Sequence, residues 1–306
     1  MTMSICSLLV SLLMTLPFTA PEFGVKVERD VPYATAPGYW THAPVGDGKA
    51  IAKLLFHSGK TEPVTLEMDI YLPEGDDPAR ARPLLLMMHG GSFFFGNKQE
   101  RGQSGWCEYF ASLGYVAASI DYRLGFHVGQ RKDARVAEDR ACEDACAALA
   151  YLLGREDLRI DAQHVFVAGT SAGAITALAL AYGPEPVPGC RIAAIANLWG
   201  AVHDLSILEN ASVPILSFQS VEDPIVPYDK GYPFRKLGSL GGVFMDYMYG
   251  THAIHEKAVS LGIRAEHHPC EEPRHALHLD DHFEYTPRFA EIRDAMVKFF
   301  AEEMGS

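Results

Sequence analysis

The spacing of apolar and polar positions sets the architecture before any motif is considered. Residues 64–73 (VTLEMDIYLP) alternate apolar and polar at a period of two, as a strand with one covered face requires, and Pro73 stops the run. Residues 83–89 (PLLLMMH) are apolar almost throughout, the pattern of a strand covered on both faces. Further short apolar runs at 115–122, 164–169, 192–200, 214–220 and 264–270 predict more strands. Between them lie helical patterns at 105–114, 133–154, 171–183, 252–262 and 287–304, the first closed by Gly114. This alternation predicts an α/β fold with a doubly wound, mostly parallel sheet and helices on both faces. No low-complexity linker or internal repeat breaks it, so residues 21–306 are expected to form one domain. One stretch fits poorly. Residues 227–250 (PYDKGYPFRKLGSLGGVFMDYMYG) are rich in Gly, Met and aromatics and longer than a usual strand-to-helix connection. They predict an excursion over the carboxyl edge of the sheet, as pocket wall or subunit contact, so a homo-oligomer stays open.

Composition narrows the function. A chain of 306 residues that is 48% hydrophobic can bury a large core without disulfides or metal. Its formal net charge of -13 repels phosphate backbones and argues against a nucleic-acid partner. Residues 5–18 (ICSLLVSLLMTLPF) are too short for a confident membrane span and read as the apolar part of an export signal, with cleavage after Ala20. That reading makes the protein secreted or periplasmic, with no stable membrane insertion of the mature domain. No Lys or Arg precedes Lys26, which leaves a packed N-terminal helix of a cytoplasmic protein as the alternative. Six cysteines without a CxxC are expected to be mostly buried small residues, with one bridge at most.

The candidate chemistry lies in four places. Gly169-Thr170-Ser171-Ala172-Gly173 matches G-x-S-x-G between a predicted strand and a predicted helix, the context in which a sharp turn projects a serine nucleophile. A serine hydroxyl needs a base, and the base needs an orienting acid. The Asp-Pro turn after the strand at 214–220 offers Asp223, with Glu222 as the alternative. The base is sought after the last strand. There His275 follows the turn EEPR and His278 sits three residues later, while His267 and His268 belong to the strand itself. His275 is preferred, with His278 as the alternative. His278 and His282 also form HxxxH, but Leu279 stands where a zinc protease has its glutamate, so no metal and no cofactor are expected. The fourth place is residues 87–96 (MMHGGSFFFG), where a strand ends in two glycines and three phenylalanines.

With HGGSFFFG, DYRLG, GTSAGA and EDPIVPY in this order, the chain resembles bacterial α/β-hydrolase-fold carboxylesterases, nearest the feruloyl- and acetyl-esterase-like relatives of the HGGG esterases. The resemblance covers about residues 64–304. It implies a serine esterase with an acyl-enzyme and an oxyanion hole formed by the backbone N–H groups of Gly91, Ser92 and Ala172. Ser92 departs from the third glycine of HGGG, and PRHAL replaces the usual Gly-His at the base. His89 is expected to hold the loop, and Asp121 and Arg123 to brace the same region. Phe93, Phe94 and Trp199 are expected to bind substrate, a small or aromatic ester, either free or carbohydrate-linked. An amidase or peptidase using the same three residues is the rival reading, and a binding protein on the same fold the third.

Overall fold

The computed structural model describes residues 17–43, 60–127, 131–184, 186–243 and 245–305. Its strands are β1 (Gly24–Gly38), β2 (Glu62–Glu74), β3 (Arg82–Met88), β4 (Val116–Ile120), β5 (Ile160–Thr170), β6 (Ile192–Leu198), β7 (Ile215–Ser220), the short pair β8 (Lys230–Gly231) and β9 (Met248–Tyr249), and β10 (Ala265–Cys270). The α-helices are α1 (Arg101–Ser112), α2 (Arg131–Gly154), α3 (Ala172–Tyr182), α4 (Thr251–Ser260) and α5 (Pro287–Met304). Eight strands form one sheet in the order β1-β2-β4-β3-β5-β6-β7-β10. β1 pairs with β2, and β2 with β4, in antiparallel fashion; every later pair is parallel. This is the α/β-hydrolase fold, with the doubly wound sheet that the apolar runs predict.

The period of two divides the side chains of each central strand between two cores. Leu84, Leu86 and Met88 of β3 join Val165 and Val167 of β5 on the face covered by α2 and α3, where Ala137, Ala141, Ala145 and Leu178 pack. Leu85 and Met87 join Phe166 and Ala168 on the opposite face, under Trp106 and Phe110 of α1 and Ile292, Met296 and Phe300 of α5. Small residues of α2 and α3 fill the first core, while aromatics fill much of the second beneath α1 and α5.

β1 was not foreseen. It is an edge strand whose residues are nearly all exposed or half-exposed, with register shifts between Glu28 and Val31 and between Pro32 and Ala34. An edge strand tolerates Pro32 and Pro37, which blur the pattern a central strand would show. The stretch 227–250 folds as the β8–β9 pair around a 3-10 segment, Arg235–Val243. The expectation of a signal at 1–20 falls mostly outside the described residues. Of its end, Phe18 meets Tyr115 edge-on at 5.7 Å, with the Arg80 guanidinium over its ring. Cys107, Cys142, Cys146, Cys190 and Cys270 are free thiols, so no bridge exists among the described residues, and Cys6 lies outside them.

The sheet order fixes where a site can form. From β3 the chain moves to β4 on one side and then returns to β5 on the other. The carboxyl ends of β3 and β5 therefore face each other across a topological switch point, the crevice where α/β sheets bind ligands. The glycine loop leaves β3 there, and Ser171 leaves β5.

Candidate active site

Ser171 occupies a turn that its neighbours make unavoidable. Its φ of 52° and ψ of -117° are strained for an L-residue, a cost of about 1–3 kcal/mol. A Cβ on Gly169 would lie 2.3 Å from Gly173 C, and one on Gly173 would lie 2.2 Å from Met88 O. Both positions therefore exclude a side chain, and β5 can pass into α3 without a loop. The strain is held by Ser171 N–H donating to Leu198 O at 2.9 Å and by Ala174 and Ile175 N–H donating to Ser171 O. Ala172 opens α3, so its N–H lacks an intrahelical partner and points where negative charge is favoured.

The structure brings Ser171, His275 and Asp223 together. His275 Nδ1 lies 2.8 Å from Asp223 Oδ2 and 3.0 Å from Oδ1, and His275 Nε2 lies 2.8 Å from Ser171 Oγ. Because Nδ1 faces only carboxylate oxygens, a neutral His275 carries its proton there. Nε2 is then the acceptor of the serine O–H. Asp223 is buried, and its Oδ1 also accepts the N–H groups of Ile225 and Val226 at 2.8 and 3.0 Å. The Asp-Pro turn thus closes on its own carboxylate and aims it at the histidine. Glu222, the alternative acid, is exposed.

His278, the alternative base, is buried between Trp106 and Trp199 at ring distances of 5.0 and 5.2 Å, and its Nδ1 has no hydrogen-bond partner. Burial, with a smaller contribution from neighbouring His275, pushes it down to about 3, so it stays neutral as packing. His282 is exposed, and residues 278–282 lie in turns rather than on a helix, so the HxxxH pair has no common helix face.

Gln219 was missed by sequence reasoning. Its amide donates to Asp223 Oδ2 at 3.2 Å and to Val226 O at 3.0 Å, and its oxygen accepts from Thr251 N and Oγ1 at 3.1 and 2.8 Å. One fully buried amide thereby ties the acid turn to the start of α4. The available signal is a lone large polar side chain in the apolar run of β7.

The glycine loop lies against the serine. A Cβ on Gly90 would stand 3.3 Å from Ser171 Cβ, and one on Gly91 would collide with Phe95 O at 2.1 Å. Gly91 has φ +109°, whereas Ser92 and Phe93 have φ values of 55° and 59°. Those two positive φ values are ones that glycine adopts more readily than an L-residue, so serine in place of a third glycine holds a strained backbone. Among the described residues, neither Gly91 nor Ser92 gives its N–H to another group. His89 is buried, its Nδ1 lies 2.7 Å from Gly90 O, and Tyr122 stacks on its ring at 4.3 Å while donating to its carbonyl. Asp121 accepts from Lys98 N and Nζ, whereas Arg123 pairs with Asp144 and Glu143 on α2. Both brace the site through separate partners rather than through each other.

Two of the three expected substrate contacts are corrected. Phe93 lines the cleft at Ser171 together with Ser92, Ala172, Ile175, Ile225, Val226, Pro233, Phe234, Met245 and Met248. Phe94 instead packs on Trp40, Phe95 and Phe126 at 5.0, 5.1 and 5.8 Å and anchors the loop. Trp199 is buried behind the histidines, edge-on to His275 at 6.4 Å and stacked on His278 at 5.2 Å, and is not among the residues lining the cleft. Pro233, Phe234, Met245 and Met248 come from the excursion, which is thus a pocket wall.

Residues 68–186 match the BD-FAE family model. A non-reducing polyketide synthase, prhL of Penicillium brasilianum, is 30% identical over 142 residues, 44% of this chain and 5% of that protein. The chain thus spans about one-twentieth of the length of that relative. An ethyl acetate hydrolase of Pseudomonas putida is 32% identical over 118 residues, 38% of this chain and 34% of that one. Esterase 2 of Thermogutta terrifontis, solved phosphorylated by paraoxon, superposes with a TM-score of 0.59 at 18% identity, covering 91% of this chain and 94% of that one. By fold the chain is an α/β-hydrolase-fold protein, and over residues 68–186 it is similar to the BD-FAE family model.

Proposed function

We propose that this protein is a serine carboxylic-ester hydrolase. The observation that carries the reading is the unbroken hydrogen-bonded line from Ser171 Oγ through His275 to buried Asp223, set at the strained turn between β5 and α3. Ser171 Oγ attacks the ester carbonyl carbon while its proton passes to His275 Nε2. Asp223 keeps the Nδ1 proton in place and stabilises the imidazolium that forms. The carbonyl oxygen becomes an oxyanion, received by the N–H groups of Gly91, Ser92 and Ala172. Fixed donors of this kind lower the barrier, and losing one costs about 2.7–4 kcal/mol. Collapse of the tetrahedral intermediate breaks the bond to the alcohol oxygen, which takes the proton from His275. Water then attacks the acyl-enzyme by the same route, releasing the acid and returning the proton to Ser171.

The walls of the cleft support an apolar acyl group. Phe93, Ile175, Phe234, Met245 and Met248 surround about 10 Å³ of free volume, space for about one water molecule. That favours short acyl chains over bulky ones. The test is turnover of p-nitrophenyl acetate by purified wild-type protein and Ser171→Ala. The expected result is loss of about 10⁴–10⁶-fold in kcat for the variant; unchanged turnover contradicts the proposal.

A further inference from the structure

We propose that Ile175 sets the upper limit on acyl length in this site, an inference that rests on the esterase reading above. Ile175 and Ala179 lie one turn apart on the same face of α3, four and eight residues after the nucleophile that precedes the helix. Each step of four residues advances about 6 Å along the axis. Ile175 is part of the wall of the small cleft beside Ser171. Beyond it lies a second cavity of about 280 Å³, which is lined by the same Ile175 and then by Ala179, Ala201, Val202 and Ile207. One side chain therefore stands between roughly one water's worth of space and a cavity many times larger.

The chemistry of that side chain makes it a wall rather than a gate. Isoleucine is branched at Cβ, and in a helix it holds one χ1 rotamer in about nine cases of ten. Ile175 is also only 6% exposed and belongs to the core packed between the sheet and its helices. An acyl chain bound at Ser171 and running along this face meets the Ile175 branch after about one helical turn. Ala179 offers no further obstruction behind it. Charged groups, among them Arg135, Asp139 and Asp204, also line the second cavity, so an acyl chain would use its apolar residues Ala179, Ala201, Val202 and Ile207.

The experiment compares kcat/KM on p-nitrophenyl acetate, butyrate and octanoate for wild type, Ile175→Ala and the double variant Ile175→Ala/Ala179→Phe, with folding followed by circular dichroism. The octanoate-to-acetate ratio is expected to rise about tenfold or more in Ile175→Ala, in line with what added methylenes contribute to discrimination. Refilling the cavity with Ala179→Phe should cancel the gain. If Ile175→Ala does not fold, Ile175→Val, which removes one methyl-sized group, should raise the ratio about threefold. Wild type inactive on all three esters overturns the esterase reading and this inference with it. Active wild type with an unmoved ratio in the folded variants, or a gain that survives Ala179→Phe, overturns this inference alone.

Discussion

At the turn that presents Ser171, the missing side chains of Gly169 and Gly173 matter as much as the serine. A methyl group on Gly173 would press into Met88 O and His89 O, backbone atoms that cannot rotate away. Gly173→Ala should therefore lower unfolding stability by at least about 1–3 kcal/mol in urea and abolish esterase activity. Gly154→Ala, at the end of α2 with nothing within 4 Å, should change stability by no more than about 0.5–1 kcal/mol. A second residue-scale prediction concerns His278. Its folded pKa of about 3 lies below the ordinary 6.5, so it contributes stability above pH 6.5 that is lost as pH falls toward 3. Urea midpoints measured from pH 7 to pH 4 should fall more steeply for wild type than for His278→Gln, by up to about 1.4 kcal/mol per pH unit. Parallel curves would contradict the assignment. Legibility at this scale follows the same physics. Asp223 and His275 could be read because turn signals tell which polar group leaves a strand end. Phe94 and Trp199 could not, since an aromatic side chain suits a loop anchor and a pocket equally, and tertiary packing decides which way the ring faces.

Among the elements, the excursion between β7 and α4 has the most to do with the cleft, and one histidine fastens it. His203 lies 2.9 Å from Glu138 Oε1 on α2 and 3.0 Å from Tyr247 O beside β9. Both partners accept hydrogen bonds, and a neutral imidazole can donate only one, so the link is complete when His203 is charged. Burial pulls its pKa down, but the hydrogen bond and charge of Glu138 outweigh burial and raise it, against the opposing Arg135. With a raised folded value, the stabilisation is full below pH 6.5 and is lost as pH rises through the folded pKa. The urea-midpoint difference between wild type and His203→Gln should accordingly shrink above neutrality; a constant difference from pH 6 to pH 9 would contradict this. The excursion could be recognised from its length and its Met and aromatic content, yet its contacts with α2 could not, because Glu138 and His203 are 65 residues apart and each reads alone as a surface group. The central strands were legible because coverage on both faces forces continuous apolar runs. β1 was not, because an edge strand is free to alternate poorly and to carry proline.

For the molecule as a whole, strand order does what no single motif can. Val64 and later apolar runs predict a parallel sheet, but the reversal from β4 to β5 is what carries the glycine loop and the serine to one crevice. The net charge of -13 belongs to the same scale: it makes an acidic body that repels polyanions. Binding of double-stranded DNA at 0.15 M salt should accordingly be undetectable by anisotropy at micromolar protein. The central claim is that Ser171 is the nucleophile activated by His275. Its most direct measurement is peptide mass spectrometry of folded protein treated with a fluorophosphonate, alongside His275→Ala treated identically. The account predicts one adduct, on the peptide containing Ser171, formed at least about 100-fold more slowly without His275. An adduct at another residue, or labelling of Ser171 at the same rate in both proteins, would contradict it.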